Sequence, residues 1–262
     1  MSAAAPAGRV TLVGGGPGDP DLLTVRAVRA LADADVVLYD RLAPHTTLAE
    51  LAPRATLIDV GKRPGHHAVP QHEIDALLVE HARTGAHVVR LKGGDPYVFG
   101  RGGEEVLACR AAGIPVTVVP GVSSAVAVPS AAGIPLTHRG VSHLFTVVSG
   151  HAPLTDDELD RLAGLGGTIV VLMGVNTLPS LAAGLLRHGL DRTTPVAIVE
   201  RGTRPDQRTT IAPLDGIVVA AGIAHAASPA VIVIGEVVGL ASAGEAHALA
   251  TIDRAGALGV EP

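Results

Sequence analysis

Arg90-Leu91-Lys92-Gly93-Gly94-Asp95-Pro96-Tyr97-Val98-Phe99-Gly100-Arg101-Gly102-Gly103-Glu104-Glu105 sets a glycine-carboxylate turn directly behind an apolar strand. Gly93 and Gly94 let the main chain pass close to a ligand and adopt dihedrals closed to other residues, while Asp95 supplies an acceptor in the same turn. Pro96 sets the direction in which the chain leaves. A second glycine-rich turn, Gly14-Gly15-Gly16-Pro17-Gly18-Asp19, follows another strand-like run near the amino terminus. Two such turns in one α/β sheet predict a small-molecule site at the carboxyl ends of the strands.

Outward from these turns, β-branched runs alternate with helical apolar spacing. Strands are expected at Val10 to Val13, Val36 to Tyr39, Thr56 to Val60, Val88 to Leu91 and Val116 to Val119, with helices over Leu22 to Leu31, Gln71 to Arg83 and Gly103 to Ala112. Helical crossovers make that sheet mostly parallel and define an N-terminal α/β domain over residues 9–136. The rhythm restarts with Leu144 to Val148, Thr168 to Met173, Pro195 to Val199 and Val231 to Ile234, around helices at Asp156 to Leu162 and Thr177 to Arg187. Thr209 to Ile211 adds an antiparallel strand, so the second domain, 141–242, carries a mixed sheet. The turn formers of 133–140 mark the linker, and Met1 to Gly8 and the residues after Leu240 are expected to be loosely held.

With 262 residues and 47% hydrophobic content, the chain has core enough for one large or two medium domains. A formal charge of -5, 2% aromatics and no Trp argue against nucleic acid, which needs a basic surface and stacking platforms. Local cations in a cleft still suit an anionic small substrate. No apolar run approaches the roughly 18 residues of a membrane span. Cys109 is the only cysteine, which suits a reducing cytoplasm and a buried apolar role. His66, His67, His72 and His81 have no metal-ligand spacing, so no metal is expected.

The first glycine turn invites comparison with a dinucleotide fingerprint, and a nicotinamide-dependent oxidoreductase is the reading from another class. Pro17 removes a donor that a pyrophosphate would use, and Asp19 would repel phosphate, so a phosphate-free ligand fits better. Tyr39-Asp40-Arg41-Leu42 ends a strand with an acid and a base. Asp40 suits proton acceptance or a cationic ring, and Arg41 suits a carboxylate; an exposed ion pair is the plain alternative. Gly61-Lys62-Arg63 adds cations after the third strand, and Pro120-Gly121-Val122-Ser123-Ser124 offers hydroxyls and amides at a helix start.

Together with Gly133-Ile134-Pro135-Leu136-Thr137-His138-Arg139, these segments resemble, in order and spacing from about Val10 to Leu240, the uroporphyrinogen-III C-methyltransferases of the tetrapyrrole methylase family. The resemblance implies two α/β domains with an inter-domain cleft, a cytoplasmic homodimer, and transfer of methyl groups from S-adenosyl-L-methionine to C2 and C7 of uroporphyrinogen III. The products would be precorrin-2, on the way to siroheme or cobalamin, and S-adenosyl-L-homocysteine. A methylase of a later corrin precursor is the alternative within the fold. By that likeness Pro17, Gly93, Gly94, Asp95, Val98, Ser123, Ser124, Met173, Gly202 and Ala230 line the cofactor pocket, and Asp40 and Lys62 handle protons. Arg41, Arg63, Arg101 and Arg139 are expected to meet the substrate carboxylates. By the same likeness Ser123 stands where many relatives carry Thr, keeping the hydroxyl but losing a methyl contact. Bifunctional relatives carry an added amino-terminal region for which there is no room before Val10, so methylation alone is expected. Asp95→Ala is expected to lower donor affinity with little unfolding.

Overall fold

The computed structural model describes residues 8–44, 47–61 and 69–241. Lys62, Arg63, His66, His67 and the expected loose ends at 1–7 and 242–262 lie outside the described residues. Gly8, read as part of the loose leader, is instead buried against the carbonyls of Ala82 and Ala86. Among the described residues no helix is long and apolar enough to cross a membrane.

The chain forms two compact units, one ending at Ser124 and the other starting at Ala125. In the first, β1 (Arg9–Gly14), β2 (Val36–Tyr39), β3 (Thr56–Asp59), β4 (His87–Lys92) and β5 (Val116–Val119) form one sheet in the order β3-β2-β4-β1-β5. Every pairing in it is parallel. The crossovers are α1 (Val25–Ala32), the single turn α2 (Leu48–Leu51), α3 (Gln71–Arg83) and α4 (Gly102–Ala111). Strand periodicity divides the apolar side chains between two faces. Val10, Leu12, Leu38 and Val88 pack with Ile74, Leu78, Val106 and Cys109 of α3 and α4. Val13, Val37, Val89 and Leu91 pack with Ala27, Leu31 and Leu48 of α1 and α2.

Burial in the first of these layers pushes the Cys109 thiol up to about 11. At about pH 8 a thiol-alkylating reagent should therefore leave the native protein unmodified and label it once unfolded, as mass spectrometry would read.

In the second unit, β6 (Phe145–Ser149), β7 (Thr168–Leu172), β8 (Pro195–Glu200), β9 (Arg208–Pro213) and β10 (Ala230–Ile234) form a mixed sheet ordered β6-β7-β10-β8-β9. Only β6 and β7 pair in parallel. One face packs on α6 (Asp156–Leu165), α7 (Leu178–Arg187) and α8 (Ile217–Ile223). The other packs on α5 (Ser124–Ala131) through Ala125 and Val128, with Ala132 and Ile134 behind it. The division between units falls after Ser124, the first residue of α5, whose Ala125 and Val128 are buried in the second core. Thr155 opens α6 with a reciprocal cap, accepting from the Glu158 amide while Glu158 accepts from its own.

Candidate active site in the first unit

The parallel sheet aligns the carboxyl ends of β1, β4 and β5, and their three following turns touch. Gly16 and Gly94 exchange backbone hydrogen bonds at 3.2 and 2.7 Å, and the Gly15 amide donates to the Lys92 carbonyl at 2.7 Å. A Cβ on Gly121 would sit 2.3 Å from the Gly94 oxygen and 2.7 Å from the Gly14 Cα, and one on Gly14 would sit 2.4 Å from the Gly121 nitrogen. Gly14 and Gly121 are therefore glycine so that three main chains can meet. Gly93 is glycine because Leu42 packs over it, its Cβ lying 2.7 Å from where a side chain would begin.

Gly94 is different. Its φ is +67°, which disfavours other residues, and the nearest atom to the place a Cβ would take is the Ser124 amide nitrogen at 3.8 Å. The turn therefore brings Gly94 within van der Waals reach of Ser124, the first residue of α5, without the crowding found at the neighbouring glycines. Pro17, Ser123 and Ser124 are half-buried around these turns. The helix after β1 starts at Val25, capped by Thr24, and not at the glycine turn. Asp19 instead caps the short 3-10 turn Pro20–Leu22 through the Asp21 amide. A dinucleotide site, whose glycines open directly onto a helix start, is not built here.

Asp95 ties the turns together. Its Oδ1 accepts from the Tyr97 amide at 2.8 Å and its Oδ2 from the Gly121 amide at 3.0 Å. The expectation that Asp95→Ala spares the fold is corrected by these two bonds, since each oxygen already serves a backbone donor. The variant should lose roughly 1–3 kcal/mol of stability along with about tenfold in donor affinity, read by thermal unfolding and titration calorimetry. Unchanged affinity would remove Asp95 and its turn from the donor site.

At the end of β2, Asp40 is half-buried. Its Oδ1 accepts from the Gly93 amide at 3.3 Å and its Oδ2 from Arg90 Nη2 at 3.1 Å. This brings the carboxylate against the Gly93-Gly94 turn. Arg41 beside it is exposed, as is Val98. Phe99 and Arg101 take φ of 53° and 58°, left-handed values held by the turn between β4 and α4. Arg101 forks onto Glu104 at 2.8 and 2.7 Å, and this hydrogen bonding raises the guanidinium above its ordinary value. Both partners are more than half exposed, so the pair is weak enough to open for another carboxylate.

Sequence reading missed the charges beneath Asp40. Arg90, Lys92 and Glu105 are all buried, and Glu105 accepts from both cations. The signal was present: Arg90 and Lys92 sit two apart, hence on one face, in a strand buried throughout, and such charges require a partner. Among the described residues no cluster of three or more His, Cys, Asp or Glu is arranged to hold a metal ion.

Residues 9–218 match the family model for tetrapyrrole (corrin/porphyrin) methylases. The chain belongs to the tetrapyrrole methylases. It is 48% identical to the S-adenosyl-L-methionine-dependent uroporphyrinogen III methyltransferase of Methanosarcina barkeri over 89% of this chain and 93% of that protein. It is 47% identical to a siroheme synthase of Gluconacetobacter diazotrophicus over 91% of this chain, but spans only 51% of that relative. The crystal structure of the Thermus thermophilus uroporphyrin-III C-methyltransferase complexed with S-adenosylhomocysteine superposes with a TM-score of 0.75 at 48% identity, covering 89% of this chain and 100% of that one.

In the second unit of this methylase, Met173 and Gly202 follow the ends of strands and Ala230 begins one. Met173 follows β7 with φ 59° and is 45% exposed, unusual for a methionine in either respect. Gly202 is buried, and a Cβ there would lie 2.4 Å from Val128 Cγ1, so α5 dictates the glycine. Arg201 and Thr203 flank it with φ of 48° and 66°. Ala230 opens β10 opposite Glu200. Burial would raise the Glu200 carboxyl, but hydrogen bonds from Arg208 and the Ala227 amide overcome this and hold it below its ordinary value. Arg139 is exposed in the turn closed by the His138–Ser142 bridge.

Proposed function

We propose that this methylase transfers two methyl groups from S-adenosyl-L-methionine to C2 and C7 of uroporphyrinogen III, giving precorrin-2. The observation that carries the reading is Asp40, a partly exposed carboxylate pinned by the Gly93 amide beside the Gly93-Gly94 turn. A proton acceptor and a place for a phosphate-free donor thus adjoin. The residues suit that donor: Gly94, at φ +67°, brings its main chain beside Ser124, and the turns offer backbone groups and hydroxyls to a ligand without phosphates. When bound, the donor supplies an electrophilic methyl on a sulfonium.

The protein's own work is alignment and proton handling. A porphyrinogen pyrrole is an enamine-like carbon nucleophile, so holding it in line and excluding water supplies much of the catalysis. As the new carbon–carbon bond forms and the carbon–sulfur bond breaks, positive charge moves onto the macrocycle. Asp40 stabilises that charge and takes the proton whose loss restores neutrality. Lys62 is assigned to return a proton to the macrocycle or to hold one of its side-chain carboxylates. Arg41, Arg63, Arg101 and Arg139 are assigned to the substrate carboxylates, Arg101 by exchanging Glu104 for one of them.

Pro17, Gly93, Gly94, Asp95, Val98, Ser123 and Ser124 are assigned to the donor, and the family resemblance adds Met173, Gly202 and Ala230. The same reading takes the enzyme as a cytoplasmic homodimer without a metal, acting on a free tetrapyrrole and on neither nucleic acid nor membrane. Its product would feed siroheme or cobalamin.

Incubation with radiolabelled methyl donor and freshly reduced uroporphyrinogen III tests the assignment. Two labelled methyls per macrocycle without nicotinamide consumption is the expected result. Label appearing only on a later corrin precursor, or on neither, would overturn it.

A further inference from the structure

Two cations and two carboxylates converge under the end of β2, with an amide alongside. Arg90 and Lys92 leave the same face of β4 and are 3% and 4% exposed, and Glu105 of α4 is wholly buried. Glu105 Oε1 accepts from Lys92 Nζ at 2.8 Å, Arg90 Nε at 3.0 Å and Gln71 Nε2 at 3.3 Å. Its Oε2, equally buried, has no hydrogen-bond partner among the described residues. Arg90 also donates through Nη1 to the Leu91 carbonyl at 3.0 Å and through Nη2 to Asp40 at 3.1 Å. One guanidinium thus bridges a fully buried carboxylate and the partly exposed one assigned to proton transfer.

Stability does not explain the arrangement. Val88, on the same face of β4, packs with Leu78, Val106 and Cys109, so apolar side chains are at home in this layer. Buried ion clusters are often no more stable than apolar residues of the same volume, because each ion gives up its hydration. Nor is Glu105 placed to meet a substrate, since none of its surface is exposed. What the cluster does achieve is rigidity: Arg90 is held at Nε by a side chain with no freedom of its own, so its Nη2 presents a fixed donor to Asp40. With the Gly93 amide on the other oxygen, the plane of the Asp40 carboxylate is set by two contacts.

We propose that Glu105 is the positioning residue for Asp40, acting through Arg90, while Lys92 balances the buried charge of Glu105. The inference rests on the assignment of Asp40 to proton handling. Burial first, and the neighbouring Arg90 second, draw the Lys92 ammonium below its ordinary value, with Glu105 opposing them. Replacing Glu105 with glutamine keeps an acceptor of the same shape for Arg90 Nε and Lys92 Nζ while removing the charge that holds them, so it loosens the strut without emptying the cluster.

A double-mutant cycle between Glu105→Gln and Asp40→Asn tests this, read by single-turnover methyl transfer, with donor affinity by calorimetry and thermal unfolding alongside. Glu105→Gln is expected to slow transfer about tenfold with donor affinity within about twofold, and Asp40→Asn is expected to cost about tenfold less in that background than in the parent. Arg90→Lys keeps the charge but cannot reach both carboxylates, and should slow transfer to a similar extent. Equal effects of Asp40→Asn in both backgrounds, or a parental rate for Arg90→Lys, would overturn the proposal. Should Glu105→Gln not fold, Glu105→Gln/Lys92→Met, which removes one buried charge of each sign, replaces it in the same cycle. A parental rate for Asp40→Asn alone would instead bring down the assignment of Asp40, and that variant leaves Glu105 untouched.

Discussion

Replacing Asp40 with asparagine is expected to slow methyl transfer to uroporphyrinogen III by about 10²- to 10³-fold, within the range that a lost general base costs. Asparagine keeps the size of the side chain and an acceptor for the Gly93 amide, so the turn should stay in place. It removes both the site for the departing proton and the negative charge facing a cationic macrocycle. Arg90 Nη2 loses its carboxylate as well, yet remains anchored through Nε on Glu105. Donor affinity, which depends on the glycine turns, is expected to stay within about threefold. Initial rates of radiolabel incorporation at saturating donor, with calorimetric binding in parallel, separate the two effects. A variant retaining more than about a third of the parental rate would exclude Asp40 from proton transfer.

The largest stability effect is expected at Gly121. Alanine there would place its methyl carbon 2.3 Å from the Gly94 oxygen and 2.7 Å from the Gly14 Cα, and all of these atoms are main chain. No rotamer change relieves such a collision, so β1 and β5 would have to separate or the Gly94 turn would have to move. A loss of about 3 kcal/mol or more is expected, above the usual cost of overpacking because backbone cannot yield as side chains do. Donor binding should fail with it, because Gly94 and Asp95 both contact Gly121. Gly103→Ala is the control. Nothing lies within 4 Å of a Cβ at that helical position, so alanine should be neutral or stabilising by up to about 1 kcal/mol. Similar thermal midpoints for the two variants would rule out main-chain crowding as the reason for Gly121.

Much of this architecture is legible along the chain. The β-branched runs at β1, β2 and β4 are covered on both faces, which is why they read as near-continuous apolar stretches and point to a parallel sheet. The antiparallel strand at Thr209 to Ile211 is present as β9, though longer. The helices α2 and α8 were not foreseen. One is a single turn, and the other, Ile-Val-Val-Ala-Ala-Gly-Ile, has no polar residues to mark a period of 3.6.

Of the candidate site, Asp40 and the Gly93-Gly94-Asp95 turn follow from residue type and from their place behind strands. The purpose of each glycine does not. Gly94 needs a positive φ, but Gly14, Gly121 and Gly202 are glycine because another segment passes within van der Waals reach, and sequence separation hides that neighbour. Nor does sequence show that Asp95 serves the Gly121 amide, 26 residues later, and so ties two of the turns together.

Periodicity, turn chemistry and the spacing of glycines against strands determined the α/β class, the parallel first sheet and the segments where a ligand site would form. All of these depend on interactions between residues close in the chain. Tertiary structure alone decided that Glu105 reaches Arg90 and that Arg90 reaches Asp40 across 50 residues. A buried charge is tolerated only beside its partner, and which partner that is depends on strand order and helix packing that no local pattern encodes.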